Sequence, residues 1–125
     1  MTGLRPIEVE SLQAKLDYEF SNTDLLVRAL THRSAGKVHN ERLEFLGDAI
    51  IGFAVAAAFF HRFPGVDEGT LSRMRASVVS GEALSRVARE LGLSEHLILG
   101  ESERKSGGRH RESILADTLE ALAGA

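Results

Sequence analysis

The chain of 125 residues contains no cysteine. This absence excludes thiolate zinc sites, a cysteine nucleophile and a disulfide framework. A chain of this length can still bury one hydrophobic core without such cross-links, and the lack of cysteine suits a reducing cytoplasm. We therefore expect a single domain spanning residues 1–125.

Long apolar segments are also missing. The N-terminal stretch MTGLRPIEVESLQ has no apolar run of the kind found in export signals. The longest apolar run, Ala49–Phe60, is shorter than the roughly 20 residues that a membrane-spanning helix needs. The sequence predicts a soluble, cytoplasmic protein that does not contact a membrane.

The chain has no excess of positive charge, since its formal net charge is −3. Domains that bind nucleic acid by bulk electrostatics are usually basic, so that class is disfavoured. Cations do cluster locally, at Arg73 and Arg75 and in the stretch ERKSGGRHRES, residues 103–113. A solvated face and a polar loop would account for these clusters equally well.

Alternating polar and apolar residues, which are typical of half-buried strands, are absent. Apolar residues recur instead at helical spacing, between positions that favour helix starts and stops. This pattern predicts an all-α fold. The predicted helices run from Pro6 to about Tyr18, from Ser21 as N-cap to about His32, from Asn40 as N-cap to about His61, over Leu71–Val79 and Glu82–Leu91, and from Glu112 to about Ala123.

Three acids, Glu41, Glu44 and Asp48, interrupt the most apolar of these helices. They are separated by three and four positions, so they share one face of the helix. The other faces are apolar, which predicts a central, buried helix. No lysine or arginine lies between Arg42 and Arg62, and an unpaired buried carboxylate is costly. We therefore expect a group from elsewhere to neutralise Glu44 and Asp48, although Glu41 could simply interact with the helix dipole.

The last predicted helix repeats this arrangement, because Asp117 and Glu120 stand three apart among apolar residues. Two such helices can offset their charges by facing each other around divalent cations. Carboxylate ligands suit Mg²⁺ or Mn²⁺, with water completing the coordination. Glu44, Asp48, Asp117 and Glu120 are therefore candidate metal ligands.

Histidine motifs of other metal sites are absent. No glutamate has a histidine three residues later, as in di-iron bundles, and neither HD nor HExxH occurs. A site made of carboxylates points to phosphoryl chemistry, in which the metal activates water and stabilises the leaving oxygen. Among the five histidines, His32 is a candidate substrate contact.

The stretch NERLEFLGDA, residues 40–49, resembles the signature of the bacterial ribonuclease III family. The stretches ALTHRSA, DEGTLSRMRASVVS and ESILADTLEALAG resemble that family's nuclease domain in order and spacing. A motif with three fixed acids plus a second acidic helix is far more specific than a lone short pattern.

The resemblance implies a homodimeric, divalent-metal endoribonuclease that cuts double-stranded RNA and leaves 5′-phosphate and 3′-hydroxyl ends, with a role in RNA processing, including that of rRNA. It assigns Glu44, Asp48, Asp117 and Glu120 as catalytic metal ligands, with Mg²⁺ as cofactor and Mn²⁺ as a substitute. The resemblance also assigns Glu41 and Glu68 as accessory acids and Phe45 as a dimer contact. The local clusters of cations, together with His32, supply our own candidates for RNA contacts: His32, Arg73, Arg75, Lys105, Arg109 and Arg111.

The sequence departs from the family pattern after Glu120. Bacterial members carry a C-terminal double-stranded RNA-binding domain, whereas this sequence stops on the apolar turn EALAGA. We therefore expect a C-terminally truncated nuclease domain.

Two other functions compete with this one. A catalytically inactive helical dimerisation or RNA-binding module of the same fold would lack a ligand acid, and none is missing. The stretch ALSRVARELGLSEHLI loosely resembles a helix-turn-helix of a DNA-binding regulator. The acidic net charge and the few cations in its second half argue against that function.

Overall fold

The computed structural model describes residues 4–125, and the fold within this range is all-α. Short 3₁₀ turns and one isolated bridge between Thr31 and Ile98 complete the backbone. The helices, in chain order, are α1 (Pro6–Leu16), α2 (Thr23–Ala29), α3 (Glu41–Arg62), α4 (Glu68–Val78), α5 (Gly81–Glu90), α6 (Glu101–Lys105) and α7 (Glu112–Gly124).

Polar caps determine where several helices begin. The backbone N–H of Asp24 donates to the side chain of Asn22, so α2 is capped by Asn22 and the expected N-cap Ser21 is wrong by one position. Asp67 caps α4, which places its start three residues before the predicted Leu71. Asn40 does precede α3, but its side chain caps nothing. It donates instead to the carbonyl of Ala29, and so ties the start of α3 to α2.

The core surrounds α7 rather than α3. One side of α7 is buried against α2 and α5, together with the fully buried side chains of Leu12, Leu26 and Leu30. Thr118, which is also buried, donates its hydroxyl to the carbonyl of Ile114, so this buried hydroxyl has a hydrogen-bond partner. The helix that carries Asp117 and Glu120 is therefore the most firmly packed element of the fold.

The predicted burial of α3 is wrong for the single chain. Within α3 only Gly47 is buried, whereas Phe45 is 82%, Phe53 75% and Phe60 67% exposed. The helix is apolar on nearly all faces, but α7 and α4 cover only part of it. A broad apolar surface therefore remains open to solvent, and we call its exposed residues the α3 apolar face: Phe45, Leu46, Ile50, Phe53 and Phe60.

By length and composition, α3 could also cross a membrane, since an 18-residue window within it has a mean hydropathy of 1.8. The run Ala49–Phe60 alone is too short to span a membrane. The window within α3 is longer because it also includes apolar residues from the first turns of the helix. These turns also carry Glu41, Glu44 and Asp48. The absence of membrane contact stays a prediction.

Two glycines let α3 and α7 approach closely. A Cβ atom at Gly47 would overlap the carbonyl oxygen of Glu120, and one at Gly124 would overlap the carbonyl oxygen of Leu43. The two backbones therefore touch at a point that only glycine permits. Since Asp48 follows Gly47 and Glu120 lies at the contact, this crossing brings the acids of both helices together.

Candidate metal centre

Four acids meet where α3 crosses α7. Carboxylate oxygens of Glu44, Asp117 and Glu120 all lie within 4.8 Å of one another. Asp48 is exposed, and its carboxylate is within hydrogen-bonding reach of Glu120. The helical spacing predicted from the sequence therefore brings together all four candidate ligands in the folded chain.

Crowding changes the acidity of the inner pair, Glu44 and Asp117. Burial, together with the neighbouring charge of Asp117, raises the pKa of Glu44 to about 7. Burial also raises the pKa of Asp117, although a hydrogen bond from Glu44 acts in the opposite direction. Both side chains are half-buried. Without a cation, this pair therefore shares a proton near neutral pH.

In the outer pair, Asp48 and Glu120, the glutamate is the group whose acidity changes. Burial, followed by a hydrogen bond and charge repulsion from Asp48, raises the pKa of Glu120 to about 8. The carboxyl group of Glu120 is then protonated at neutral pH and donates to Asp48. The cluster holds more negative charge than the protein alone can stabilise.

The four carboxylates fit a divalent cation. Across residues 4–125, no lysine, arginine or histidine lies within the 4.0 Å of an ion pair from any of them. A bound cation would supply the missing positive charge and would favour the ionised form of each acid. Oxygen-only donors on two crossing helices match the preference of Mg²⁺ and Mn²⁺.

A polar cavity of about 240 Å³ opens beside the acids. Five of the residues predicted from the sequence line it: His32, Glu41, Glu44, Arg111 and Asp117. Glu41 contacts Arg33 and His39, each with a separation of 3.8 Å, so it is partly neutralised by the protein itself. Glu41 therefore differs from Glu44, which depends on an added cation.

His32 is fixed at the cavity wall by its backbone and its ring. Its N–H donates to the carbonyl of Ile98, and the backbone N–H of Ser34 donates to its Nδ1. Because Nδ1 accepts, the neutral ring carries its proton on Nε2. Burial lowers the pKa of His32, although the charges of Glu103 and Asp117 oppose this effect. The wall of the cavity thus offers a neutral imidazole donor.

Several predicted residues do not line this cavity. Glu68 is exposed at the start of α4 and accepts from the hydroxyl of Ser72. Arg73 donates to Thr70, and Lys105 forms an exposed ion pair with Glu101. Arg75 and Arg109 also lie outside the cavity lining. Within one chain, the predicted RNA contacts are therefore split between the cavity and other parts of the surface.

The sequence did not reveal Glu103 and Arg33, which also line the cavity. No helix was predicted around Glu103, where a solvated face and a polar loop was one of two open interpretations, whereas residues 101–105 form the short helix α6. A five-residue helix has too few positions for an apolar period to be visible. The two acids of GESERK, Glu101 and Glu103, next to the basic stretch, were the only available signal.

Comparisons with known proteins agree with this geometry. A family model described as Ribonuclease-III-like matches residues 22–125. Ribonuclease 3 of Photorhabdus laumondii subsp. laumondii is 61% identical over 122 residues, covering 98% of this chain and 54% of that protein. The chain therefore spans about half the length of this curated relative.

Solved structures also share the fold. A nuclease domain of ribonuclease III from Campylobacter jejuni, described for structural flexibility in a region involved in dimer formation, superposes with a TM-score of 0.90 at 42% identity. The match covers 93% of this chain and 82% of that one. Dicer from Pichia stipitis gives a TM-score of 0.65 at 29% identity, over 86% of this chain and 46% of its own.

Proposed function

This chain belongs to the ribonuclease III family, and we propose that it is a divalent-metal-dependent endoribonuclease acting on double-stranded RNA. It hydrolyses phosphodiester bonds to leave 5′-phosphate and 3′-hydroxyl ends, and it acts in RNA processing in the cytoplasm. The observation that carries this proposal is the approach of Glu44, Asp117 and Glu120 to within 4.8 Å, with Asp48 beside Glu120.

The metal site rests on the acids of α3 and α7. Glu44, Asp48, Asp117 and Glu120 would hold Mg²⁺, for which Mn²⁺ substitutes. The bound cation would supply a more acidic water and would stabilise negative charge on the phosphate oxygens. The protein must release the shared protons of Glu44 and Glu120 before a cation binds. Activity should therefore rise as the pH increases through the neutral range.

The cavity beside the acids suits a phosphate backbone better than a base. Its wall offers donors from His32, Arg33 and Arg111, and polar groups dominate the lining. A-form RNA presents phosphates and 2′-hydroxyls more readily than base edges, so such donors are sufficient for binding. RNA shape and the metal would then determine where cleavage occurs.

We further propose that two copies associate through the α3 apolar face. Phe45, Phe53 and Phe60 leave an apolar patch on the single chain that is unusual for a soluble monomer. A self-complementary patch on one helix suits a two-fold interface. The Campylobacter jejuni relative is described as having a dimer-forming region in its nuclease domain. In such a dimer, Phe45 contacts the partner, and one RNA duplex meets two acid clusters.

Cleavage of a defined RNA duplex tests the proposed activity. The wild-type chain should cut it in Mg²⁺ or Mn²⁺ and not in chelator, and the products should accept a 5′ label only after phosphatase treatment. Asp48→Asn should reduce the rate by about a thousandfold or more, because it removes a ligand without removing a core contact. The exposed substitution Glu82→Gln, which breaks only the surface pair with Arg86, is the matched control.

The same assay separates the alternatives. Tight RNA binding without any cleavage would indicate an inactive module of this fold. Preference for a DNA duplex of equal length would indicate the helix-turn-helix function. Cleavage by Asp48→Asn at the rate of the Glu82→Gln control would exclude Asp48 as a ligand.

A further inference from the structure

Glu103 carries a buried oxygen that accepts no hydrogen bond. The side chain lies on α6, is 19% exposed and lines the cavity that Asp117 also lines. Its Oε2 atom has no hydrogen-bond partner among the described residues. The cation nearest to it is Arg111, whose Nη2 lies 3.4 Å away. A buried carboxylate oxygen is costly when unpaired, so this ion pair determines where both side chains lie.

The turn before α7 clamps Glu103 in this position. A Cβ atom at Gly108 would lie 2.7 Å from Cγ of Glu103 and 2.9 Å from its Oε2. Gly108 itself is buried. The carboxylate therefore packs against a backbone segment where a side chain would displace it, only three residues before Arg111.

Arg111 is the residue that this arrangement fixes. It precedes the first turn of α7, the helix that carries Asp117 and Glu120. Its side chain is half-exposed and reaches the cavity, so its guanidinium is available to an anionic ligand. An unrestrained arginine loses considerable rotamer freedom when it binds, whereas one already held by a carboxylate loses less.

Arg33, which lines the same cavity, shows a related arrangement. It is held by Glu41 at 3.8 Å, on an exposed surface. Each of these two cations thus has an acid partner of its own, while the four acids of the metal centre have none. The cavity lining therefore combines acids that suit a cation with arginines that suit a phosphate.

We propose that Glu103 is a positioning residue that holds the Arg111 guanidinium at the cavity mouth, where Arg111 donates to a phosphate oxygen of the RNA duplex. Glu103 contacts neither the metal nor the RNA. The assignment deepens the function proposed above and rests on it. Although RNA is a polyanion, removal of the negative charge of Glu103 should therefore weaken RNA binding.

A double-mutant cycle tests this role with Glu103→Gln, Arg111→Gln and the pair combined. Affinity for a short RNA duplex is measured in Ca²⁺, which should occupy oxygen ligands without supporting cleavage. We expect Glu103→Gln to weaken binding about fivefold and Arg111→Gln about tenfold, the double variant being no weaker than Arg111→Gln alone. Glu82→Gln removes an acid from an ion pair of similar length, 3.3 Å, outside the cavity lining, and should not weaken binding.

Kinetics in Mg²⁺ distinguish positioning from a general structural role. Glu103→Gln should raise KM while kcat, the Mg²⁺ concentration for half-maximal rate and the melting temperature stay close to wild type. Tighter or unchanged RNA binding by Glu103→Gln would overturn the proposal. So would a further loss of affinity when Glu103→Gln is added to Arg111→Gln, or a shift in the Mg²⁺ requirement, which would indicate a metal-linked role.

The wild-type chain separates this proposal from the function on which it rests. Binding in Ca²⁺ without cleavage in Mg²⁺ would contradict the proposed activity, while the mutant cycle would still decide the role of Glu103. Absence of any RNA binding by the wild type would overturn both.

Discussion

Glu44 and Glu120 show how the fold perturbs individual residues. Both glutamates carry a raised pKa, to about 7 and about 8, because the fold buries them next to other carboxylates. The folded chain therefore binds protons more tightly at these positions than the unfolded chain, whose glutamates titrate near 4.5. Their stabilising contribution is complete below the unfolded pKa and is lost as the pH rises through the folded pKa.

This linkage predicts the pH dependence of the metal-free protein. Between about pH 5 and about pH 8, its melting temperature should fall more steeply than that of Glu120→Gln, which keeps a neutral donor to Asp48 at all pH values. Addition of Mg²⁺ at the alkaline end should restore the wild-type melting temperature, because the ion binds only the folded state. Calorimetry in chelator and in Mg²⁺ measures both effects. Parallel pH curves for wild type and Glu120→Gln would contradict the raised pKa of Glu120.

At the residue scale, the sequence predicted which acids share a helix face but not their surroundings. The pairs Glu44 with Asp48 and Asp117 with Glu120 follow from helical spacing, because three- and four-residue intervals share a face. The ion pair of Glu103 with Arg111 depends on how the segment 98–111 turns, which no periodicity encodes. Asp48 was also expected to be buried, yet it is exposed, because α3 lies at the surface of the chain.

The crossing of α3 and α7 is the element-scale feature that creates the site. Gly47 and Gly124 bring the two backbones into contact, with the carbonyl of Glu120 at Gly47 and that of Leu43 at Gly124. The sequence predicted that α3 and α7 are helices, but it did not predict where they cross. Their crossing point depends on which glycine meets which carbonyl, and that requires the tertiary structure.

Substitution of Gly47 should separate the two helices. A methyl group there overlaps the carbonyl of Glu120, so Gly47→Ala should destabilise the chain by about 2 kcal/mol or more and should weaken metal binding. Gly52→Ala is the matched control on the same helix, because its Cβ would meet nothing within 4 Å. That control should gain about 0.5 to 1 kcal/mol from helix propensity. Denaturant unfolding and Mn²⁺ titration compare the two, and equal stability of the variants would contradict the close crossing.

The sequence predicted the presence of the long helices well. It predicted the ends of helices and the short helix α6 less well. The long helices α3 and α7 differ from their predicted bounds by about one residue, because their apolar periods are long. The start of α4 was predicted three residues late, since Asp67 was not recognised as its cap. Helix α6 was missed altogether. The hydrophobic pattern does not show where a helix begins when a single capping side chain sets its boundary.

At the scale of the whole molecule, the α3 apolar face is the feature that a single chain does not explain. The sequence predicted that α3 would be buried, because its pattern is that of a core helix. Such a pattern does not distinguish burial within a chain from burial between two chains. We therefore interpret the exposed Phe45, Phe53 and Phe60 as a surface that a second copy covers.

Sedimentation velocity tests this interpretation. Phe45→Ala should shift the chain from dimer toward monomer at low micromolar concentration, because a central interface aromatic commonly contributes about 2 kcal/mol or more. Ile7→Ala, on α1, removes another apolar side chain that is well exposed, at 66%, but lies outside the α3 apolar face. It should leave the sedimentation coefficient unchanged. An unchanged coefficient for Phe45→Ala would exclude Phe45 from the dimer contact.

In the proposed function, α3 and α7 together form one carboxylate metal centre. A crystal structure of the chain with Mn²⁺ tests it most directly, by anomalous scattering measured for wild type and for Glu120→Gln under identical conditions. We expect an anomalous peak among Glu44, Asp117 and Glu120, with Asp48 as a ligand or next to one, and a weaker or absent peak in Glu120→Gln. Occupied Mn²⁺ sites elsewhere, with this cluster empty at a pH above the raised pKa values, would contradict it.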